Sequence, residues 1–259
     1  MKSFIRKIVF VVIGLLVLAN INYQNTTREI NKNMIDNSVT EEKSVTDKEK
    51  LDKVYNDKDS YPEELLEMLS RNNDMLDYVY KYKENKGKVF ANDIGKIERN
   101  TVPLLFQYDE RWGYGMYGDE VLAINGCGPT SVAMVIASLT GRNIITPYDV
   151  ASYAYENGYY KNGTRWNFFT EGVRNYGIVG KEFPLTKAKI FKELELGHPI
   201  ICSMRKGDFT TTGHLIVLAG VKNGKLIVND PNSRERSSKL WSYERIESQI
   251  KNLWSFRTY

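Results

Sequence analysis

Residues 125–139 have the sequence NGCGPTSVAMVIASL, which predicts a buried helix that begins beside a cysteine. Pro129 suits the first turn of a helix, because the N–H that proline lacks would have no intrahelical partner there. Apolar side chains at residues 132–139 surround most of the helix axis, so the helix should be buried. Cys127 then lies at a helix N-terminus, where the dipole and the free amides favour a thiolate. Glycines on both sides leave the thiol open to approach, and we interpret Cys127 as a nucleophile.

The other cysteine, Cys202, lies in an apolar run, and we expect it to be a core residue. Two alternatives for Cys127 stay open at this point: a buried apolar cysteine, or a disulfide to Cys202. Two cysteines and two histidines cannot form a disulfide framework or a four-cysteine zinc site. We therefore expect no metal site, and thiol chemistry needs no cofactor.

His214 is the candidate partner of the cysteine. It follows the flexible run Gly207–Gly213 and opens the apolar strand Leu215–Ala219. A histidine at the mouth of a strand can present its ring to a cleft while the strand fixes its backbone. A lone histidine is more often structural, but the presence of Cys127 favours a general base. The second histidine, His198, lies at a predicted turn and is interpreted as incidental.

A third polar group should orient the imidazole of His214, and Asn229 and Asp230 are adjacent candidates. The choice depends on the register of the hairpin that turns at Asn223-Gly224. A shift of one residue exchanges the two faces of a strand, so it exchanges the two candidates as well.

Two hairpin registers are compatible with the sequence. A two-residue turn pairs Val221 with Leu226 and places Asn229 on the histidine's face. A three-residue turn ending in a left-handed glycine pairs Val221 with Lys225 and places Asp230 there instead. The residues themselves favour neither register.

The order of predicted elements in residues 100–259 indicates an α+β domain, with helices first and an antiparallel sheet afterwards. Further helices should begin at threonines and end at glycines, from Thr146 to Gly158, from Thr164 to Gly177 and from Thr186 to Gly197. Ser242 is the expected cap of a last helix. The predicted strands are Pro199–Met204, Leu215–Val221, Lys225–Asn229 and Leu253–Tyr259.

Residues 1–19 predict export of the chain. A basic start precedes an uninterrupted apolar run of twelve, Ile8–Ala19, which is short for a membrane span. The segment is either a signal peptide cleaved after Ala19 or an uncleaved membrane anchor. Both alternatives place the remainder outside the cytoplasm, secreted or tethered to the outer face of the membrane.

Two further parts separate this segment from the main domain. Residues 20–59 mix charges of both signs without an apolar period, which predicts a flexible or weakly helical linker. Residues 60–99 predict a small helical module, in which Ser60 and Glu63 form a capping-box pair. Its short helices cannot bury much surface alone, so we expect them to dock on the domain behind them.

Composition and charge exclude several classes of protein. Apolar residues make up 42% and charged residues 26% of the 259, which argues against a disordered, collagen-like or multi-spanning protein. The formal net charge of +4 falls to +1 without the three basic residues of the first nineteen. A nearly neutral chain gives no electrostatic case for nucleic acid as a partner.

Four motifs in order resemble the papain-like cysteine peptidases whose best-known members trim double-glycine leaders from bacteriocins, and their stand-alone secreted relatives. The resemblance covers about 100–259. The motifs are Pro103–Trp112, Gly126–Ser131, Gly213–Leu218 and Asn229–Ser233.

The resemblance implies a papain-like fold and assigns a role to each of four residues. Cys127 would be the nucleophile, His214 the base, Asp230 its orienting partner and Gln107 the oxyanion-hole glutamine. Gln107 lies twenty residues before Cys127, farther than in papain itself, which implies an inserted loop through Gly113–Asp119.

The sequence therefore predicts a secreted or surface-tethered cysteine peptidase that acts on a peptide or protein substrate. A cell-wall peptide amidase or endopeptidase with the same triad, and a non-catalytic surface binding module, are the alternatives. Trp166 is a further candidate for binding substrate, because it follows Gly163-Thr164-Arg165 at a predicted helix start, where an aromatic ring could line a cleft.

Overall fold

A computed structural model describes residues 45–98 and 101–259 of the chain. Asp47–Tyr259 forms one compact unit. The predicted export segment and most of the predicted linker lie outside the described residues. Within the described ranges, no helix combines the length and the apolar character that crossing a membrane requires.

Ten α-helices and eight β-strands are assigned within the described ranges, together with several short 3-10 turns. The helices are α1 (Asp47–Asn56), α2 (Glu63–Arg71), α3 (Leu76–Tyr80), α4 (Tyr82–Asn85), α5 (Leu122–Asn125), α6 (Cys127–Thr140), α7 (Pro147–Glu156), α8 (Lys187–Glu195), α9 (Arg234–Ser237) and α10 (Tyr243–Ile246). The strands are β1 (Met116–Tyr117), β2 (Glu120–Val121), β3 (Ile178–Glu182), β4 (Ile200–Met204), β5 (His214–Lys222), β6 (Lys225–Asn229), β7 (Leu240–Trp241) and β8 (Ile250–Thr258).

Six of the strands form one antiparallel sheet in the order β3-β8-β4-β5-β6-β7, and β1 with β2 forms a separate small hairpin. The closing strand β8 lies inside the sheet, between β3 and β4. The predicted α+β class is therefore confirmed, with the early helices packed on an antiparallel sheet.

The sheet separates two apolar cores. Alternate side chains of β5 point to opposite faces, so Val217 joins the core beneath α6 and α7, whereas Ile216 joins the core beneath α8. Residues 132–137 of α6 are fully or almost fully buried, as its all-round apolar pattern predicts. Gly141 ends α6 in the left-handed conformation, with φ of 68°.

Two other predicted helices have the expected caps. The Thr146 side chain accepts a hydrogen bond from the backbone of Asp149, and the Asp149 carboxylate accepts one in return, which completes a capping box at the start of α7. Thr186 caps α8. The helix predicted from Thr164 to Gly177 is wrong in form, because two 3-10 segments, Trp166–Phe169 and Gly172–Tyr176, occupy that stretch.

The part of the predicted linker that the structure describes is not a linker. Helix α1 lies within residues 20–59, and its Val54 is fully buried in a core shared with α2 and α3. An ion pair of 2.5 Å between Lys50 and Asp77 joins α1 to α3. Because α1 has few apolar residues, the sequence predicted at most a weak helix here, and packing against α2 and α3 rather than an amphipathic period stabilises it.

The helical module docks on the main domain, as predicted. Leu65 and Leu69 of α2 share a core with Tyr114 and Val121. The predicted capping box at Ser60 is wrong, since Pro62 occupies the cap position and the Ser60 hydroxyl donates to Asp57 instead.

Candidate active site

Cys127 is the first residue of helix α6, at the position that the sequence predicts. The first amides of a helix have no intrahelical partners, and the helix dipole favours negative charge there. The thiol is free and half-buried, so the alternative of a disulfide to Cys202 is excluded. The flanking glycines serve close packing: a Cβ atom at Gly128 would lie only 2.3 Å from the Thr164 hydroxyl.

His214, the first residue of β5, is held by Asp230. Its Nε2 lies 2.8 Å from Asp230 Oδ1, and the two side chains are 8% and 0% exposed. A carboxylate only accepts hydrogen bonds, so Nε2 carries the proton and Nδ1 is the nitrogen left for the thiol. Both Cys127 and His214 line the same cavity of about 610 Å³.

The imidazole is predisposed to be charged. Burial by itself would lower the pKa of His214, but the Asp230 carboxylate and then Cys127 outweigh it and raise that pKa to about 10. A cationic imidazole beside a sulfur favours the thiolate. The arrangement therefore provides a charged imidazole beside the Cys127 sulfur.

Arg236 is a component of this site that the sequence did not identify. Its Nε donates to Asp230 Oδ2 across 2.6 Å, while the backbone N–H of Asn232 donates to Oδ1 across 2.8 Å. Burial would raise the pKa of Asp230, but His214 and then Arg236 lower it. The carboxylate is thus held ionised and fixed at both oxygens.

A local sequence pattern places Arg236 there. Asp230 is followed by a turn, and the Ser233 hydroxyl accepts the backbone N–H of Arg236, which starts the short helix α9. The Ser237 hydroxyl also accepts the Asp230 backbone N–H at 2.9 Å. A basic residue on a capped turn just after the aspartate was the only clue in the sequence.

The hairpin between β5 and β6 combines features of both predicted registers. The turn has two residues, Asn223 and Gly224, both with positive φ, and Val221 pairs with Leu226. The register then shifts between Leu218 and Gly220.

On the far side of this shift Val217 pairs with Asn229, whereas the register at the turn would pair Val217 with Asp230. A bulge adds one residue to one strand and so changes which side chains share a face. Asp230 consequently reaches His214. The Asn229 amide instead donates to the carbonyl oxygens of Val102 at 3.0 Å and Pro103 at 3.2 Å.

Gln107 also lines the cavity, beside the segment that precedes Cys127. Its backbone N–H donates to the Pro231 carbonyl at 2.8 Å, which ties it to the loop after Asp230. Its side-chain Nε2 donates to the Ala123 carbonyl at 2.6 Å and lies 3.3 Å from that of Ile124. The hairpin β1–β2 accounts for the insertion expected between Gln107 and the cysteine.

Trp166 does not line this cavity. Its indole is 42% exposed, packs edge-on against Trp254 at 5.5 Å between ring centroids, and lies beneath the Lys251 ammonium. The 3-10 turn that replaces the predicted helix directs the ring towards β8. The prediction that Trp166 binds substrate at this cavity therefore has no geometric support.

The remaining candidates are structural. Cys202 is buried in the sheet, where burial raises the pKa of its thiol. His198 Nδ1 lies 2.8 Å from Glu193 Oε2 at the end of α8. Within the described residues, no group of three or more potential metal ligands comes together.

The candidate nucleophile, base and orienting group follow one another along the chain as Cys127, His214 and Asp230. A cysteine at the start of a buried helix, followed by a histidine on one strand and an aspartate just after the next strand of the sheet, is the arrangement of papain-like cysteine peptidase domains. The chain belongs to the Peptidase_C39 like family, whose model matches residues 99–258.

Solved structures include similar domains. The peptidase domain of Streptococcus ComA, a bi-functional ABC transporter involved in a quorum sensing pathway, is 25% identical, with 52% of this chain and 93% of that chain covered and a TM-score of 0.40. A C39-like peptidase structure from Bacillus anthracis is 16% identical, with 64% and 100% covered and a TM-score of 0.40. Among curated proteins, none matches the chain.

Proposed function

We propose that this protein is a cysteine peptidase that hydrolyses peptide bonds through Cys127, His214 and Asp230. One observation carries the proposal: the helix-borne thiol faces the same cavity as an imidazole whose far nitrogen is hydrogen-bonded to a buried, ionised carboxylate. Nucleophile, base and orienting group are the three roles that thiol-dependent acyl transfer requires.

The first half of the reaction forms an acyl-enzyme. His214 takes the Cys127 proton, and the thiolate attacks the carbonyl carbon of the scissile amide. The Cys127 backbone N–H and the Gln107 amide stabilise the oxyanion. His214 then gives its proton to the departing amine, the C–N bond breaks, and a thioester remains on Cys127.

The second half returns the free enzyme. His214 accepts a proton from water, and the resulting hydroxide attacks the thioester carbonyl. The C–S bond breaks, the carboxylic acid product leaves, and the proton on His214 returns to sulfur. Asp230 keeps Nε2 protonated throughout, so that Nδ1 stays directed at the reacting groups.

Gln107 has to change one contact to act in this way. One of its N–H groups would leave the longer contact, at 3.3 Å from the Ile124 carbonyl, for the developing oxyanion. The shorter contact to Ala123 would keep the amide in place. This exchange favours the transition state, because the new bond strengthens only as charge develops.

Full-length protein incubated with a mixed-sequence peptide library, and separately with cell-wall fragments, tests the activity by mass spectrometry. Peptide cleavage that is lost in Cys127→Ala supports the proposal. Cleavage of wall peptides alone would keep the chemistry and change the substrate class. No cleavage, together with Cys127 alkylation at the rate of an ordinary thiol of pKa about 8.5, would indicate a non-catalytic binding module.

We also propose that the chain works outside the cytoplasm, secreted or tethered to the outer face of the membrane. The basic start and the apolar run Ile8–Ala19 support this proposal. Fractionation of the native cells into cytosol, membrane and medium tests it. Intact protein confined to the cytosol would contradict it.

A further inference from the structure

Helix α2, which precedes the family-matched region, turns one face towards the catalytic cavity. Its cavity-lining residues recur at intervals of three and four, so they lie on one side of the helix. They are Glu64, Glu67, Met68 and Arg71. Leu65 and Leu69, on another side of the same helix, are buried in the core below.

Two hydrogen bonds join the C-terminal end of α2 to two other segments that line the cavity. Arg71 Nη1 donates to the Thr211 hydroxyl at 3.0 Å, in the loop Gly207–Gly213 that precedes His214. Asn72, just after the helix, donates to the Asn232 carbonyl at 2.8 Å, beside the catalytic aspartate. Helix α2 is therefore built into the wall of the cleft.

The charges of this wall leave one carboxylate without a partner. Glu67 pairs with Arg71 on the same helix. Asp208, on the opposite loop, pairs with Arg245 at 2.6 Å. Glu64 makes no ion pair or side-chain hydrogen bond with any residue of the described ranges.

The other arginine of the cleft, Arg236, is committed to Asp230. Among the acidic side chains of the described residues that line the cavity with Cys127, Glu64 is thus the one without a cationic partner. A free carboxylate in a binding cleft complements a cation.

We propose that α2 forms part of the substrate-binding site and that Glu64 selects peptides with a lysine or arginine side chain near the scissile bond. The inference rests on the proposed peptidase function. It gives the helical module a role in specificity, with the carboxylate of Glu64 against the ammonium or guanidinium of the substrate. Met68, beside Glu64 on the same face, would contact the aliphatic part of that side chain.

Glu63 provides a matched control. Glu63 and Glu64 are both exposed acids in the first turn of α2, so their replacement by glutamine should affect the helix dipole similarly. Only Glu64 lines the cavity. Any difference between Glu63→Gln and Glu64→Gln therefore reports on the cleft.

The experiment uses full-length protein and a randomised peptide library, with cleavage products sequenced by mass spectrometry. The wild-type protein and Glu63→Gln should enrich lysine and arginine at one fixed position near the cut. Glu64→Gln should lose this enrichment. For a lysine peptide and its norleucine counterpart, the ratio of kcat/KM should fall by about fivefold in Glu64→Gln, as expected for one partly exposed ion pair.

The outcomes separate this inference from the peptidase proposal. Cleavage without enrichment of cationic residues, or equal ratios in both glutamine variants, would overturn the role of Glu64 and leave the peptidase function standing. A similar change in cleavage of all peptides in Glu64→Gln would also overturn the selective role, because a contact that selects cationic side chains affects only substrates that carry one. No cleavage by the wild-type protein would overturn both.

Discussion

His214 Nε2 and Asp230 Oδ1 are 2.8 Å apart, although the two residues are sixteen positions apart in the sequence and belong to neighbouring strands and their extensions. The contact is shielded from solvent, so the charges of its two partners interact strongly. It couples the ionisation of the candidate base to the stability of the fold.

This pair should make stability depend on pH in a defined window. The pKa of His214 is raised from 6.5 to about 10, so its contribution is complete below about 6.5 and is lost as the pH rises through about 10. The pKa of Asp230 is lowered from 3.8, so its contribution is present above that value and is lost as the pH falls through its folded pKa.

Denaturant unfolding of the wild-type protein and Asp230→Asn, measured from pH 3 to pH 11, checks this dependence. The difference in unfolding free energy should be largest between about 4 and 6.5 and should shrink towards both extremes. A difference that is constant across the whole range would mean that the pair is uncharged in the folded protein.

Replacing Cys127 by alanine should abolish peptide turnover while leaving the fold intact, because the thiol provides the attacking atom and Cys127 is only partly buried where it packs against the core. Cys202→Ala is the control. It should keep turnover per folded molecule and lower the unfolding free energy by about 1 kcal/mol through a small core cavity. Comparable loss of turnover in well-folded Cys202→Ala would remove Cys127 from its assigned role.

Asp230→Ala and Asn229→Ala should have different effects, although the residues are adjacent. Loss of the Asp230 carboxylate removes the orientation of His214 and should lower kcat by about 10³- to 10⁴-fold. Loss of the Asn229 amide leaves two carbonyl groups unpaired and should lower stability by about 1–3 kcal/mol with little change in kcat. Kinetics and thermal unfolding on the same preparations compare them; the opposite ranking would reassign the orienting group.

Arg236→Gln should lower kcat, by up to about 10²-fold, because Asp230 loses one of the contacts that fix it against His214. It also removes a positive charge near the imidazolium, so the alkaline limb of the pH profile of kcat/KM should move to higher pH. Arg236→Lys keeps the charge, so the alkaline limb should return towards its wild-type pH, whereas kcat should recover less. An unshifted profile in Arg236→Gln would make the residue purely structural.

Gln107→Ala should lower kcat by roughly 10²- to 10³-fold with little change in KM, because the lost bond strengthens only as charge develops on the oxyanion. Alkylation of Cys127 by a small reagent should be largely preserved, since it does not need an oxyanion hole. Turnover and alkylation are measured together. Unchanged kcat would remove Gln107 from the site, and a parallel loss of alkylation would indicate that it supports the Cys127 segment instead.

Local sequence patterns determined most of the scaffold. The start and end of α6 follow from Pro129 and Gly141, and the cap of α7 follows from Thr146, because these features depend on interactions within a few residues. The candidate nucleophile and base were likewise visible, since each lies at the end of a recognisable helix or strand. The resemblance to a known family then selected Asp230 and Gln107.

Tertiary structure decided the features that depend on distant residues. The Asn223-Gly224 turn was readable in the sequence, but the register shift between Leu218 and Gly220 was not, and it decides which side chain faces His214. A bulge depends on what both faces of the sheet pack against, whereas a turn depends on its own residues.

Contacts between residues that are distant in the sequence also explain the burial of α1 and the position of Trp166. Helix α1 carries too few apolar residues to show a period, and its burial depends on α3. The placement of Trp166 on Trp254 follows from contacts between elements, whereas Arg236 reaches Asp230 through the local turn that Ser233 caps. The sequence by itself determined which residues could do the chemistry; long-range packing alone decided which of them meet, because side-chain contacts between elements are set by the whole fold.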